Sequence, residues 1–395
     1  MKIVKLEDFH VDCGWEDYSF LKITTDEGLV GWSEFRESRR KGMRALIHGM
    51  SELLIGADPR AIGRLDASLC AHIRTVPGGM YQNAVGAIVN ACLDIKGKAL
   101  GVPVYELFGG AVRERMPVYW SRLGVIRARS AEFFDGKVID KPAVRSLDDL
   151  KRAGREAAER GFKAAKMNLL VFDQKGGRQY TPASARGPGF PELNLPEDVL
   201  AALLDQIAAV REGAGPKFGI AIDLNFNYRA EGFRRIAKKV EPFELLWLEM
   251  DIYEPNALAL IRQSTTTPIA SLETILGRRA LIPYLEARCA DVAIIDPQYN
   301  GLVESLRMAS LADAYEVNCA SHYFAGPLAA IITAHFAAVI PNLRIMEFDV
   351  DEVPWKPKLL TKPPVIDNGE FVLPTGPGWG TDVDEAMLRK HALKQ

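Results

Sequence analysis

The chain has no block of like charge at either end, no apolar stretch approaching the roughly 18 residues of a membrane span, and no closely paired cysteines. Each absence removes a class of function. With 49 Lys and Arg against 51 Asp and Glu, the charge pattern calls for no nucleic acid and no membrane surface. The opening "MKIVKLEDFHVDCGWEDYSF" alternates like a strand and lacks a signal-peptide apolar core. Cys13, Cys70, Cys92, Cys289 and Cys319 are odd in number and scattered, as expected of reduced thiols in a cytoplasmic protein. No nicotinamide fingerprint or phosphate-binding P-loop is present, so redox and nucleotide chemistry find no support.

What remains is an ordinary globular composition, 48% hydrophobic and 25% charged, over 395 residues. That length suits two or three domains, or one large α/β barrel with an attachment. Residues 1–115 read as an α+β unit: a hairpin formed by "SFLKITTD" and "EGLVGWSEF", then helical periodicity in "KGMRALIHGMSELLIG" and "NAVGAIVNACLDIKGKALG". Residues 116–350 repeat a different unit. Apolar runs at "PVYW", "FKAAKM", "FGIAID", "ELLWLE", "TPIASL", "DVAIID", "YEVNCA" and "LRIME" alternate with helical stretches, the count of a (β/α)8 barrel. Residues 351–395, rich in Pro and Gly at their start, form a tail returning to the first unit. Two insertions interrupt the repeat, one near residues 124–144 and one, "VFDQKGGRQYTPASARGPGFPEL", after the second strand. Long βα loops occupy the active-site face of a barrel, so the second is read as a substrate lid or, alternatively, as a surface or oligomer-contact loop.

The strand ends carry the chemistry. Asp223 in "AIDLNFN", Glu249, Glu273, Asp296, His322 and Glu347 follow one another at intervals of 26, 24, 23, 26 and 25 residues, the length of a strand-helix unit. One such acid is commonly a helix N-cap; a periodic series points to the C-terminal mouth of the barrel. Converging carboxylates repel each other unless a cation joins them. Asp223, Glu249 and Glu273 offer only oxygen, which suits Mg²⁺ better than zinc. Asn225 either hydrogen-bonds a ligand, orients Asp223 or simply forms the turn. Strand alternation puts Lys166 and Asn168 on one face. On the other flank Asp296 is placed to pair with His322, fixing its tautomer and raising its basicity. A divalent ion between two proton-transfer groups suits removal of the proton α to a carboxylate, with Glu347 facing the other carboxylate oxygen.

Together these residues resemble the enolase superfamily, specifically its mandelate racemase group, over nearly the whole chain. The resemblance implies an α/β fold: a modified (β/α)7β TIM barrel with an α+β capping domain completed by the C-terminal tail. It implies that Asp223, Glu249 and Glu273 bind Mg²⁺, that Lys166, His322, Asp296 and Glu347 are catalytic, and that Asn168 and Asn225 face the substrate. The family's Lys-x-Lys motif reads "KMN" here, Asn168 replacing the second lysine. The fourth strand reads "WLEMD" and the sixth "IDPQYNG", both departures from the family pattern. In the cap, "DCGWEDYSF" and "HIRTVPGGM" resemble loops that close over substrate, which places Trp15, His72 and Arg74 near the ligand, with packing or surface as the competing reading; Tyr299 and Tyr323 adjoin mouth residues. The function implied is an Mg²⁺-dependent dehydratase of an acid sugar, an aldonate or aldarate, yielding a 2-keto-3-deoxy acid. The alternatives are a racemase or epimerase of a 2-hydroxy acid and a non-catalytic metal-binding homologue. A homo-oligomer is expected.

Overall fold

The computed structural model describes residues 1–38, 41–174 and 176–394; Lys175 of the second insertion lies outside them. Three antiparallel strands open the chain, β1 (Ile3–Asp12), β2 (Asp17–Thr25) and β3 (Val30–Phe35), in the order β1-β2-β3. The helices Met43–Gly49, Ile62–His72 and Gly79–Leu100 follow. The last is buried through most of its length, and its Gly86 permits backbone contact with the barrel: a Cβ there would lie 2.6 Å from the Gly301 nitrogen.

All eight apolar runs form strands. They are β4 (Arg115–Ser121), β5 (Ala164–Asn168), β8 (Gly219–Asp223), β9 (Trp247–Glu249), β10 (Ile269–Ser271), β11 (Val292–Ile295), β12 (Asn318–Ser321) and β13 (Leu343–Asp349). The barrel closes through parallel β13–β4 pairing. The second insertion begins with a small hairpin of its own, β6 (Leu170–Asp173) and β7 (Gly176–Gln179). Chain after the barrel adds β14 (Ile366–Asp367) and β15 (Glu370–Val372), the latter antiparallel to the start of β4. Farther along, buried Asp94 of the cap accepts hydrogen bonds from the backbone N–H groups of Trp32 and Trp379, at 2.9 and 3.0 Å. Among the described residues no helix is long and apolar enough to cross a membrane.

Inside the barrel, large and small side chains interlock in one apolar layer. Tyr119 and Trp247 meet edge to face at 5.5 Å, and Ala164, Ala221, Ala270 and Ala320 make room for them. Because strand side chains alternate, the next inward position on several strands lies two residues on. From that layer the rule leads to Ser121, Lys166, Asp223, Glu249 and Glu347, so the apolar plug is the floor of a polar chamber.

The cap also contributes a buried acid that no sequence pattern marks. Glu34 on β3 is fully enclosed; one oxygen accepts from the Ala329 N–H and the other has no hydrogen-bond partner among the described residues. Burial pushes its carboxyl up to about 8. A carboxyl raised in the folded state contributes stability below the unfolded value that is lost as pH rises toward the folded one. Glu34→Gln is therefore expected to match the parent near pH 4.5 and to exceed it at pH 8, by on the order of 1 kcal/mol per pH unit crossed, in thermal melts across that range.

Candidate active site

Adjacent strands bring the predicted residues to one height. Asn168 is in register with Asp223 and Asp223 with Glu249. Glu273 arrives differently: alternation from the inward Ala270 would favour Leu272, but Leu272 takes a left-handed backbone (φ 92°) and Glu273 lines the mouth. The cavity there has a volume of about 670 Å³, and its walls include Lys166, Asn168, Asp223, Asn225, Glu273, Tyr299, His322 and Glu347. Glu249 lies buried behind it, one oxygen accepting from Trp247 Nε1 at 2.9 Å.

Lys166 is the hub of one flank. Its Nζ is 3.0 Å from Glu249, 3.1 Å from Glu347 and 4.0 Å from Asp223. Burial works against its charge, but Glu249 and Glu347 outweigh it, and the ammonium titrates well above the ordinary lysine value. Glu347 is held low despite burial by Lys166 and His322, while Ser121 Oγ and the Tyr323 N–H donate to its two oxygens at 2.6 and 2.8 Å. Glu249 goes the other way: burial, with repulsion from Asp223 and Glu273, lifts it to about 8 against the opposing pull of Lys166.

His322 is the hub of the other flank. Its Nδ1 lies 2.6 Å from Asp296 Oδ2, and Nε2 lies 3.2 Å from Glu273 Oε2. The second Asp296 oxygen accepts from the Gln298 and Tyr299 N–H groups, capping the helix Pro297–Asn300. Asp296 is thus both a helix cap and the imidazole's partner. Burial disfavours the imidazolium, yet Glu273 and Asp296 overcome this and hold His322 well above its usual range.

Asn168 carries no exchangeable charge and is tied down: its amide donates to the Asp223 carbonyl at 3.1 Å and to Asn225 Oδ1 at 3.4 Å. Asn225 (φ 46°) is a left-handed turn residue that also orients Asp223, donating from its backbone and side-chain nitrogens to Oδ1, both at 2.9 Å. Among the described residues no three acids or histidines are gathered at metal-ligand spacing. Lys166 pairs with Glu249 and His322 with Glu273 instead.

Three expected positions lie elsewhere. Trp15 stacks on Phe134 and meets Phe133 edge-on, closing a hydrophobic cluster away from the cavity walls. Arg74 lines a separate cavity between cap and barrel, and His72 ends the helix Ile62–His72 without lining either. Tyr299 does line the site, whereas Tyr323 contributes its backbone and turns its ring onto Phe348.

Two residues escaped sequence reasoning. Asp251, two positions beyond Glu249, is buried with Oδ2 unpartnered among the described residues, and burial plus Glu273, Asp223 and Glu249 push it well above the carboxylate range. The spacing of two from Glu249 was an available signal. Arg122, one residue past β4, also lines the cavity; nothing local marks it.

Comparison with known proteins decides the family. The model of the mandelate racemase/muconate lactonizing enzyme N-terminal domain matches residues 13–109, and that of the enolase C-terminal domain-like fold matches residues 149–387. The chain belongs to the mandelate racemase/muconate lactonizing enzyme family. Relatives of this family member include a D-galactonate dehydratase of Ralstonia nicotianae, 29% identical over 403 residues that cover 98% of this chain and 94% of the relative. A D-xylonate dehydratase of Haloferax volcanii is 27% identical over 379 residues, covering 95% and 85%. Among solved structures, a Burkholderia xenovorans LB400 protein provisionally named L-alanine-DL-glutamate epimerase has 42% identity and a TM-score of 0.96, covering 100% of this chain and 99% of that one. Its structure with magnesium and fumarate gives 42% and 0.95, covering 100% and 96%. Superfamily membership and the dehydratase-named relatives mark this family member as an enzyme.

Proposed function

We propose that the protein is an acid-sugar dehydratase. The observation that carries this reading is the asymmetry of the two flanks: His322 with Asp296 on one side, and on the other Asn168 where the family motif has a second lysine. Inversion at C2 needs a proton carrier on each face, whereas dehydration can use one carrier twice.

Asp223, Glu249 and Glu273 are the residues that would hold Mg²⁺. They supply only oxygen, burial together with repulsion from neighbouring carboxylates lifts Glu249 and Glu273, and the Asp251 oxygen left without a partner among the described residues is a further acceptor beside them. When bound, such an ion would offset negative charge on the substrate carboxyl group.

The chain's own residues perform the rest. Asp296 accepts from His322 Nδ1, which leaves Nε2 to take the C2 proton once it is free of Glu273. Lys166, held protonated, places positive charge where the enediolate's oxygens develop theirs. His322 then returns the proton to the C3 hydroxyl, the C3–O bond breaks with release of water, and the enol tautomerises to a 2-keto-3-deoxy acid.

A stereochemically complete set of four- to six-carbon aldonic and aldaric acids, incubated with Mg²⁺, is expected to yield 2-keto-3-deoxy acid from at least one member. A second reading, epimerisation, draws on Lys166 lining the cavity and on the provisionally named Burkholderia protein. Run in D₂O, the same assay separates them: deuterium in recovered acid without any keto product would replace the dehydratase with an epimerase.

A further inference from the structure

The cavity mixes both signs at the strand ends, where Lys166 and His322 lie among carboxylates, and carries arginines on another wall. All three carboxylates lining it, Asp223, Glu273 and Glu347, belong to strand ends on the reacting side, whereas the wall built by the two insertions and the end of β4 presents Arg122, Arg129 and Arg178. From these we infer that the substrate is a dicarboxylate, whose second carboxylate is received by the arginine wall. The inference rests on the hydroxy-acid reading of the site and narrows it.

Arg122 is fixed from behind. Its Nε donates to Asp349 Oδ1 at 3.1 Å, its Nη2 donates to Oδ2, and its enclosed Nη1, 3.5 Å from Glu16, makes no hydrogen bond among the described residues. Glu16 also receives Arg36 at 2.9 Å and Arg129 at 3.0 Å. Arg178, 3.8 Å from Asp173, is a further cation on the same wall. A guanidinium fork matches a carboxylate in geometry, so a wall with three arginines suits a carboxylate ligand. Hydroxyl groups at the far end of a monocarboxylate would need only amides and hydroxyls; Gln179, Thr181 and Ser184 are present for the intervening chain.

The span is short. The Phe324 ring lies between the strand ends and the arginine wall, its centroid 4.6 Å from the Arg122 guanidinium carbon and 6.5 Å from the His322 ring. The hairpin holding Arg178 is seated directly on the helix Val125–Arg129: a Cβ on Gly177 would fall 3.1 Å from Ala128 Cβ and 2.7 Å from the Phe172 ring. Both insertions therefore present their arginines from a packed wall.

Binding tests this without turnover. Malate and 2-hydroxybutyrate, and likewise 2-hydroxyglutarate and 2-hydroxyvalerate, differ by a terminal carboxylate against a methyl group, and none carries a 3-hydroxyl to lose. Titration calorimetry on the full chain with Mg²⁺ is expected to show each diacid binding at least about tenfold tighter than its partner, the preference collapsing in Arg129→Gln and Arg178→Gln. These two arginines are partly exposed, so the variants avoid the buried Arg122–Asp349 pair. Equal affinities within each pair would overturn the inference, as would tighter binding of 3-phosphoglycerate than of any diacid. Keto acid formed only from monocarboxylic acids would overturn it while leaving the dehydratase intact. Diacid preference with no keto acid from any substrate would uphold the anion subsite and remove the dehydratase.

Discussion

His322→Asn is expected to lower keto-acid formation by about 10²- to 10⁴-fold, the usual contribution of a positioned acid-base group. Asparagine can still present a nitrogen toward Asp296, so the 2.6 Å contact that fixes the loop has a replacement donor. What it cannot do is accept a proton and return it. The loss should therefore fall on kcat, with KM changed little, and with a thermal midpoint close to that of the parent. Retention of more than a tenth of parental kcat on the best substrate would remove His322 from the proton path and return attention to Lys166.

The second large effect is on stability. Lys166→Met removes the only cation within 4.0 Å of Glu249 and Glu347 among the described residues, leaving buried Glu249 without an adjacent counter-charge and Glu347 with only the more distant His322. Breaking one side of such a pair costs about 3–5 kcal/mol. The penalty depends on pH. In the parent, Glu347 is held below its ordinary value, so its contribution is present above the unfolded value and is lost as pH falls through the folded one. Glu249 is already lifted to about 8 by burial, and losing Lys166 lifts it further. Both effects make the deficit of the variant largest at pH 8 and smallest near pH 4, where the acids are protonated. Chelator-treated protein melted across this range would show it; a deficit independent of pH would mean that lost packing, and not lost charge, dominates.

Much of the site could be read before any coordinates. The recurring interval from Asp223 to Glu347 placed six polar groups on successive strand ends because a strand-helix unit has a characteristic length, and all six lie at the barrel mouth. The alternation that joined Lys166 to Asn168 would equally have joined Glu249 to Asp251. Arg122 was not legible: its left-handed backbone (φ 52°) breaks the alternation, and its partners, Asp349 and Glu16, lie far away in sequence. Whether Trp15, His72 and Arg74 would approach the ligand or only pack in the cap, the two readings open for them, was not legible for a related reason. Which side of a cap meets a barrel depends on contacts between distant segments, and no local pattern in the cap encodes it.

Those contacts bear on how freely the protein's parts can be exchanged. Asn83 and Asn90 donate side-chain hydrogen bonds to the Tyr299 and Pro297 carbonyls, each at 3.0 Å, and Gln82 donates to that of Asn300 at 3.2 Å. This is the turn that follows Asp296, pressed against Gly86. The cap is thus no interchangeable lid: a chimaera that imported a relative's N-terminal unit without these three amides and this glycine would disturb the footing of the His322–Asp296 pair, even with every barrel residue unchanged.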